Sequence, residues 1–193
     1  MRLVAHRHTP QAHAVKLVHY LYWPDLLRLS VDVQVPPTVR RAIDTQLLMR
    51  LRKVTPGEKI AAARRCTQAV IRELLRDPDP RVFEALLVNQ RLREEDLVDL
   101  ARSSETKIEQ LRLLAEDRRW SFRYAIRRAL AGNPRTPRAL AAAQLRHLSR
   151  KDLLDLYKAQ ETTTYVRRCI ERLRPSDFSV VSEAIDYNGR SDA

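Results

Sequence analysis

The side chains in this 193-residue sequence best suited to specific chemistry are four arginine pairs, Arg40-Arg41, Arg64-Arg65, Arg127-Arg128 and Arg167-Arg168. A guanidinium is a permanently charged planar fork that grips phosphate or carboxylate oxygens two at a time. Apolar residues flank each pair, which puts the four at similar phases of a helix. Helices stacked in repeats would line up one member of each pair, giving a ladder that a phosphate backbone or an acidic peptide could follow. The same residues would serve equally well as helix formers whose stems shield a core and whose heads pair with carboxylates of the next repeat. At this level both readings stand.

The other reactive residue types point to framework rather than to catalysis. His6, His8, His13 and His19 cluster near the start, but no H-E-x-x-H pattern or cysteine pair accompanies them, so no metal is expected. Cys66 and Cys169 each follow an arginine pair, in the slot that alanine fills at Ala42 and Ala129, and read as small buried residues. Asp77 and Asp79 read as helix caps, and Glu94-Glu95-Asp96 as a helix start whose negative charge complements the dipole. Tyr20, Tyr22, Trp23 and Trp120 sit at helix junctions. There they would act as core or as hydrophobic staples, or, if exposed, would stack on bases. No nucleophile-and-base or paired-carboxylate arrangement emerges, and the chain is not expected to be an enzyme or to need a cofactor.

Charge narrows the partner classes. The formal net charge is +12, and arginine outnumbers lysine 30 to 6, a bias that a GC-rich genome also produces. Residues 1–75 carry +8, residues 76–117 carry −4, residues 118–175 carry +11 and residues 176–193 carry −3. Two basic blocks thus flank an acidic one, a field that suits nucleic acid, an anionic surface or an acidic protein. No apolar run approaches the ~18 residues needed to span a bilayer, and no signal-type segment opens the chain, so a cytoplasmic protein is expected.

The elements that must position these residues are short helices. Thr9-Pro10, Thr55-Pro56, Asp79-Pro80 and Thr136-Pro137 each offer an N-cap acceptor followed by proline at the first helical position. Thr55 with Glu58 makes a capping box. Apolar spacings of three and four predict helices over 10–21, 24–30, 37–52, 56–65, 68–76, 80–88, 94–102, 105–116, 121–131, 137–146, 150–158, 164–173 and 177–185. Three glycines and 6% aromatic residues argue against strand-rich folds. The decisive signal is internal repetition. Residues 3–47 lie on 130–174 without a gap, with fourteen identities that include Asp25/Asp152, Val39/Val166, Arg40/Arg167 and Ile43/Ile170. A second echo, 44 residues apart, joins Ala85, Leu86, Asn89 and Arg91 to Ala129, Leu130, Asn133 and Arg135. Since 127 is close to three times 42, the expected unit is about 42 residues, within the range of helical repeats.

The junctions 77–80, 133–137 and the Val-Arg-Arg-Ala run at 39–42 resemble the bacterial leucine-rich-repeat-variant and HEAT-like helical repeat families. Asp79 through Leu92 and Asp117 through Pro137 carry the resemblance best. It implies an all-α, right-handed α-solenoid of four to five helical-hairpin repeats, acting as a non-catalytic scaffold for protein or peptide binding. Some leucine-rich-repeat-variant proteins carry an N-terminal cysteine cluster for an iron–sulfur centre, and no such cluster occurs here. The expected organisation is one repeat domain over residues 1–186 with a loose tail at 187–193. The expected partner is a protein or a second copy of the chain. The alternative is sequence-independent nucleic-acid binding through the arginine ladder.

Overall fold

The computed structural model describes residue 4 and residues 9–175. The expected helix at 177–185, the tail at 187–193, His6 and His8 lie outside those residues. Among the described residues the chain is all-helical, with twelve helices and no strand. They are α1 (Gln11–Val18), α2 (Trp23–Ser30), α3 (Pro37–Leu51), α4 (Pro56–Ala63), α5 (Gln68–Leu74) and α6 (Pro80–Leu87). There follow α7 (Glu94–Arg102), α8 (Ile108–Glu116), α9 (Tyr124–Gly132), α10 (Arg138–Leu145), α11 (Arg150–Lys158) and α12 (Thr164–Leu173). No helix among the described residues is long and apolar enough to cross a membrane. Segments this short do not hold together alone in water, so each must bury an apolar stripe.

The chain divides into two compact units, Met1–Asp96 and Leu97–Ala193. In the first, α1 and α2 both pack on α3, α4 and α5 both pack on α6, and α3 also meets α5. In the second, α8 packs on α9, α9 on α10, and α10 and α11 both pack on α12. In α1–α3, α4–α6 and α10–α12 the third helix packs on both of its predecessors, whereas α9 packs on α8 and α10.

The third helices share one frame. α3, α6, α9 and α12 start at residues 37, 80, 124 and 164, and each buries its third and seventh residues: Val39 and Ile43, Val82 and Leu86, Ile126 and Leu130, Val166 and Ile170. Each such side chain stabilises the unit by roughly 1.5–3 kcal/mol on burial. The 127-residue offset recurs in the helix starts themselves. α1 and α10 start at 11 and 138, α2 and α11 at 23 and 150, and α3 and α12 at 37 and 164.

Polar turns punctuate this frame. Asp32, Asn89, Ser103 and Asn133 each accept the backbone N–H two residues ahead, at 2.9, 2.8, 3.2 and 2.8 Å. The backbone carbonyl of each also accepts from the residue three ahead, and a helix opens five residues on. Such side-chain turns stop one helix and aim the next. They explain two late starts. The turn at Ser103 delays α8 to residue 108. Asp117, accepting from Arg119 and Trp120, delays α9 to residue 124. Two caps are also shifted. Pro10 and Pro137 occupy the N-cap itself, with ψ of 132° and 133°, and Pro137 follows directly on the Asn133 turn. Thr55 and Asp79 do cap α4 and α6, and Thr55 forms its box with Glu58. At the close of α9, a Cβ on Gly132 would lie 3.0 Å from Leu156 Cδ2, so the glycine lets α9 end against α11.

Candidate binding surfaces

Three of the four arginine pairs occupy one register. Arg40-Arg41, Arg127-Arg128 and Arg167-Arg168 are the fourth and fifth residues of α3, α9 and α12, just after the buried Val39, Ile126 and Val166. Arg64-Arg65 does not belong with them. Arg64 is the C-cap of α4 and both residues are exposed, which corrects the expectation of similar phases for all four. At that register α6 carries Phe83-Glu84 instead, with Phe83 fully buried.

The paired arginines differ in what they hold. Arg127 donates through Nε to the Ser121 carbonyl at 3.0 Å, and Arg167 through Nη2 to the Ala159 carbonyl at 2.8 Å. Both carbonyls belong to the segment leading into the arginine's own helix, so these side chains tie down an approach loop. Arg40 is half-buried on α3, and its charge acts on Asp44, one turn further along. Burial pushes the Asp44 carboxyl above its ordinary range, against the opposing pull of the Thr67 hydroxyl, which donates to it at 2.8 Å, and of Arg40. Arg128 pairs with Asp152 at 2.7 Å and reaches Asp155 at 3.8 Å. Arg41, Arg64, Arg65 and Arg168 are exposed, and their side chains meet no carboxylate among the described residues.

Asp152 is the most heavily used carboxylate in the second unit. It accepts from the Tyr124 hydroxyl and from Ser149 Oγ at 2.8 Å, while Ser149 Oγ caps α11 by accepting from Asp152 N at 3.2 Å. The Tyr124 hydroxyl foremost, with Ser149 and Arg128, holds the Asp152 carboxyl below its usual range despite some burial. The buried asparagines were legible in the 44-residue echo as a repeat, though their task was not. Asn89 donates to the Ala63 carbonyl at 2.7 Å, and Asn133 to the Ala101 and Ser103 carbonyls at 2.6 and 2.9 Å. Each clasps the end of a helix 26 to 32 residues earlier in the chain.

The cysteines are free and unlike each other. Cys169 sits at the register of Ala42 and Ala129, one residue after the pair, and is half-buried. Cys66 lies instead beyond the end of α4, fully buried, and burial pushes its thiol up to about 12. A thiol so hard to ionise is a poor nucleophile and a poor metal ligand. His13 and His19 are exposed, and among the described residues no three His, Cys, Asp or Glu side chains gather closely enough to hold a metal. The aromatics divide: Trp23 and Trp120 are buried, whereas Tyr20 and Tyr22 are 82% and 79% exposed. Arg50 of α3 donates to the His19 and Leu21 carbonyls, both at 2.6 Å, and thereby fixes the junction from which the two tyrosines project.

In the second unit a cleft of about 300 Å³ lies between the 133–137 junction and the start of α12. Arg138, Thr136, Thr164 and Tyr165 are among the residues lining it, and no lining residue is acidic. The Arg138 guanidinium lies 5.6 Å from the centre of the Tyr165 ring. Nothing in the sequence pattern alone joined Arg138 to Tyr165. The available signal was a basic residue right after Pro137, in a stretch from 133 to 141 that lacks any carboxylate. Comparison of the chain with protein-family models, with curated proteins and with solved structures returns no match.

Proposed function

We propose that this chain is a non-catalytic helical-repeat scaffold that binds a protein or peptide. The carrying observation is the division of labour within the repeat. What recurs is framework: buried third and seventh positions, polar turns, asparagine clasps. What varies is outward-facing, including the exposed Tyr20, Tyr22, Phe122 and Tyr165. A repeat whose interior is fixed and whose surface is free suits a binding array. On this reading the units belong to one right-handed solenoid of the leucine-rich-repeat-variant or HEAT-like kind, with a period of about 42 residues. In three stretches, α1–α3, α4–α6 and α10–α12, a third helix packs on the two before it. Of the eight arginines, Arg127, Arg128 and Arg167 then serve as fasteners, Arg40 lies half-buried with its charge acting on Asp44, and Arg41, Arg64, Arg65 and Arg168 supply surface charge.

One observation favours a second reading, phosphate-backbone binding by nucleic acid. Residues 118–175 carry +11, and Arg123 and Arg138 lie over the exposed rings of Phe122 and Tyr165 at 5.6 Å in both cases. Basic side chains interleaved with exposed rings are how single strands are often gripped. The two are separated by capturing partners at about 0.5 M salt, where surface electrostatics are screened, and rebuilding the complex from purified components. A stoichiometric protein complex at that salt supports the scaffold. Failure to rebuild any protein complex, with labelled DNA or RNA bound at ~50 mM and released by ~200 mM salt, overturns it.

A further inference from the structure

The cleft between the 133–137 junction and α12 combines three features that a carboxylate needs. The first is a cation without a counter-ion: Arg138 is exposed, lies over Tyr165, and meets no carboxylate among the described residues. Its nearest acidic neighbour in sequence on the α12 side, Glu161, is exposed and does not line the cleft.

The second is a pair of backbone donors. At the start of α12, the Thr163 hydroxyl accepts from Val166 N at 3.4 Å, and the Thr163 carbonyl takes Arg167 N at 3.1 Å. The N–H groups of Thr164 and Tyr165 are left as the open donors of the first turn, and both residues line the cleft. The third feature is a buried hydroxyl with nothing to bond. Thr136 is 6% exposed, forms part of the cleft wall, and its Oγ1 has no hydrogen-bond partner. Thr106 holds the corresponding place in the Ser103 turn, and its hydroxyl donates to the Leu100 carbonyl. A buried hydroxyl left unsatisfied costs stability, so its persistence at a cleft wall is informative.

Pro134, Ala141 and Val166 supply apolar wall around these polar groups. We infer that the cleft takes the carboxylate of a glutamate or aspartate side chain from an acidic peptide segment, with Arg138 and the first turn of α12 as its receptor. The apolar wall accepts the methylene stem, the guanidinium fork matches the flat carboxylate, and the α12 N-terminus favours its charge. This rests on reading the chain as a peptide-binding scaffold.

The test uses the full chain and a fluorescein-labelled octaglutamate, read by fluorescence anisotropy at about 50 mM salt. Arg138→Gln is expected to weaken binding at least about tenfold, a loss of about 1.4 kcal/mol. Thr164→Pro removes one N–H while proline remains well suited to the first helical position, so it should weaken binding with the helical content unchanged. Arg146→Gln, at the other end of α10, should bind as the parent does. Equal losses in Arg138→Gln and Arg146→Gln would mean diffuse attraction and overturn the site. So would no binding of octaglutamate by the parent chain. In either case the scaffold reading keeps its own test in the reconstituted complex. A labelled octathymidylate that binds more tightly than octaglutamate and is lost in Arg138→Gln would assign the cleft to phosphate and overturn the peptide.

Discussion

α6 and α9 begin 44 residues apart, on the same frame, and make opposite choices at their fourth residue. α6, which packs on α4 and α5, places Phe83 there, fully buried; α9 places Arg127, half-buried and bonded to a carbonyl. The difference lies in the approach. α6 is entered through a tight turn, where Asp77 takes Asp79 N at 3.0 Å and pairs with Lys59 at 2.7 Å. At the fourth position of α6 the slot is filled by apolar volume. α9 is entered through a longer loop from Asp117 to Arg123, and the Ser121 carbonyl needs a donor that arginine supplies. The register is therefore a choice between filling and fastening. An arginine pair in this protein signals a loop to be tied as much as a ligand to be bound.

The strongest way to break that comparison is Phe83→Ala. Emptying a fully buried aromatic site should cost about 3–5 kcal/mol, read as a lower urea midpoint with an unchanged slope. Arg127→Ala should cost far less. If the two variants unfold together, the slot is not the packing centre of α6. Next in size come the clasps. Asn89→Ala strips the Ala63 carbonyl of a donor at 2.7 Å and the Cys66 carbonyl of one at only 3.5 Å, whereas Asn133→Ala strips the Ala101 and Ser103 carbonyls of donors at 2.6 and 2.9 Å. Buried acceptors left bare cost about 1–3 kcal/mol each, so Asn133→Ala should be the worse of the pair. Equal thermal shifts would sink the view that the second carbonyl matters.

Much of this fold was legible in the chain. Proline with its cap, leucines at three and four, and the ungapped 127-residue offset place ten of the twelve helix starts within a residue. The misses have physical causes. α8 and α9 start late because Ser103 and Asp117 spend their side chains on turns, and polar residues in a helical pattern do not announce which they will do. The repetition also did not show that α3, α6 and α12 each pack on two predecessors, since which helices touch depends on turn direction rather than on period. The site was less legible still. Arginine pairs are visible in sequence, but whether a guanidinium meets a carbonyl, as at Arg167, or a carboxylate, as at Arg128, is decided by residues six to twenty-seven positions away. Tyr20 and Tyr22, expected in the core or as staples, stand exposed at a junction whose His19 and Leu21 carbonyls Arg50 holds.

A smaller effect sharpens the fastening side. Arg127→Ala and Arg167→Ala should each cost about 1 kcal/mol, one net hydrogen bond to a carbonyl. Lysine at either position should recover part of it, since an ammonium supplies a donor without the fork. Arg41→Ala and Arg168→Ala, whose side chains hold nothing among the described residues, should leave the melting temperature unmoved. Exposed arginines that proved as costly as Arg127 and Arg167 would erase the distinction between fastening and surface members.

The smallest expected effect compares α2 with α11, whose starts differ by 127 residues and whose third residues are Asp25 and Asp152. Asp152 is bound by the Tyr124 hydroxyl, Ser149 and Arg128, while no such bond reaches Asp25 among the described residues. The folded Asp152 carboxyl titrates below its ordinary value, so it binds its proton less tightly folded than unfolded. Its contribution is therefore complete above the unfolded pKa near 3.9 and is lost as pH falls through the lower folded value. Asp44 carries the opposite sign. Burial raises its carboxyl, so it opposes folding at neutral pH, and that opposition is relieved as pH falls through its raised folded value. Asp152→Asn should lose no more than about 1 kcal/mol at pH 7, because the site is partly open to solvent, and should merge with the parent below about pH 3. Asp25→Asn should match the parent throughout. Asp44→Asn should be at least as stable as the parent at pH 7, and its advantage should vanish on acidification. Melting curves from pH 7 to about pH 3 decide the matter. Superimposed Asp25→Asn and Asp152→Asn curves would mean that the network around Asp152 is held by the fold without helping to hold it.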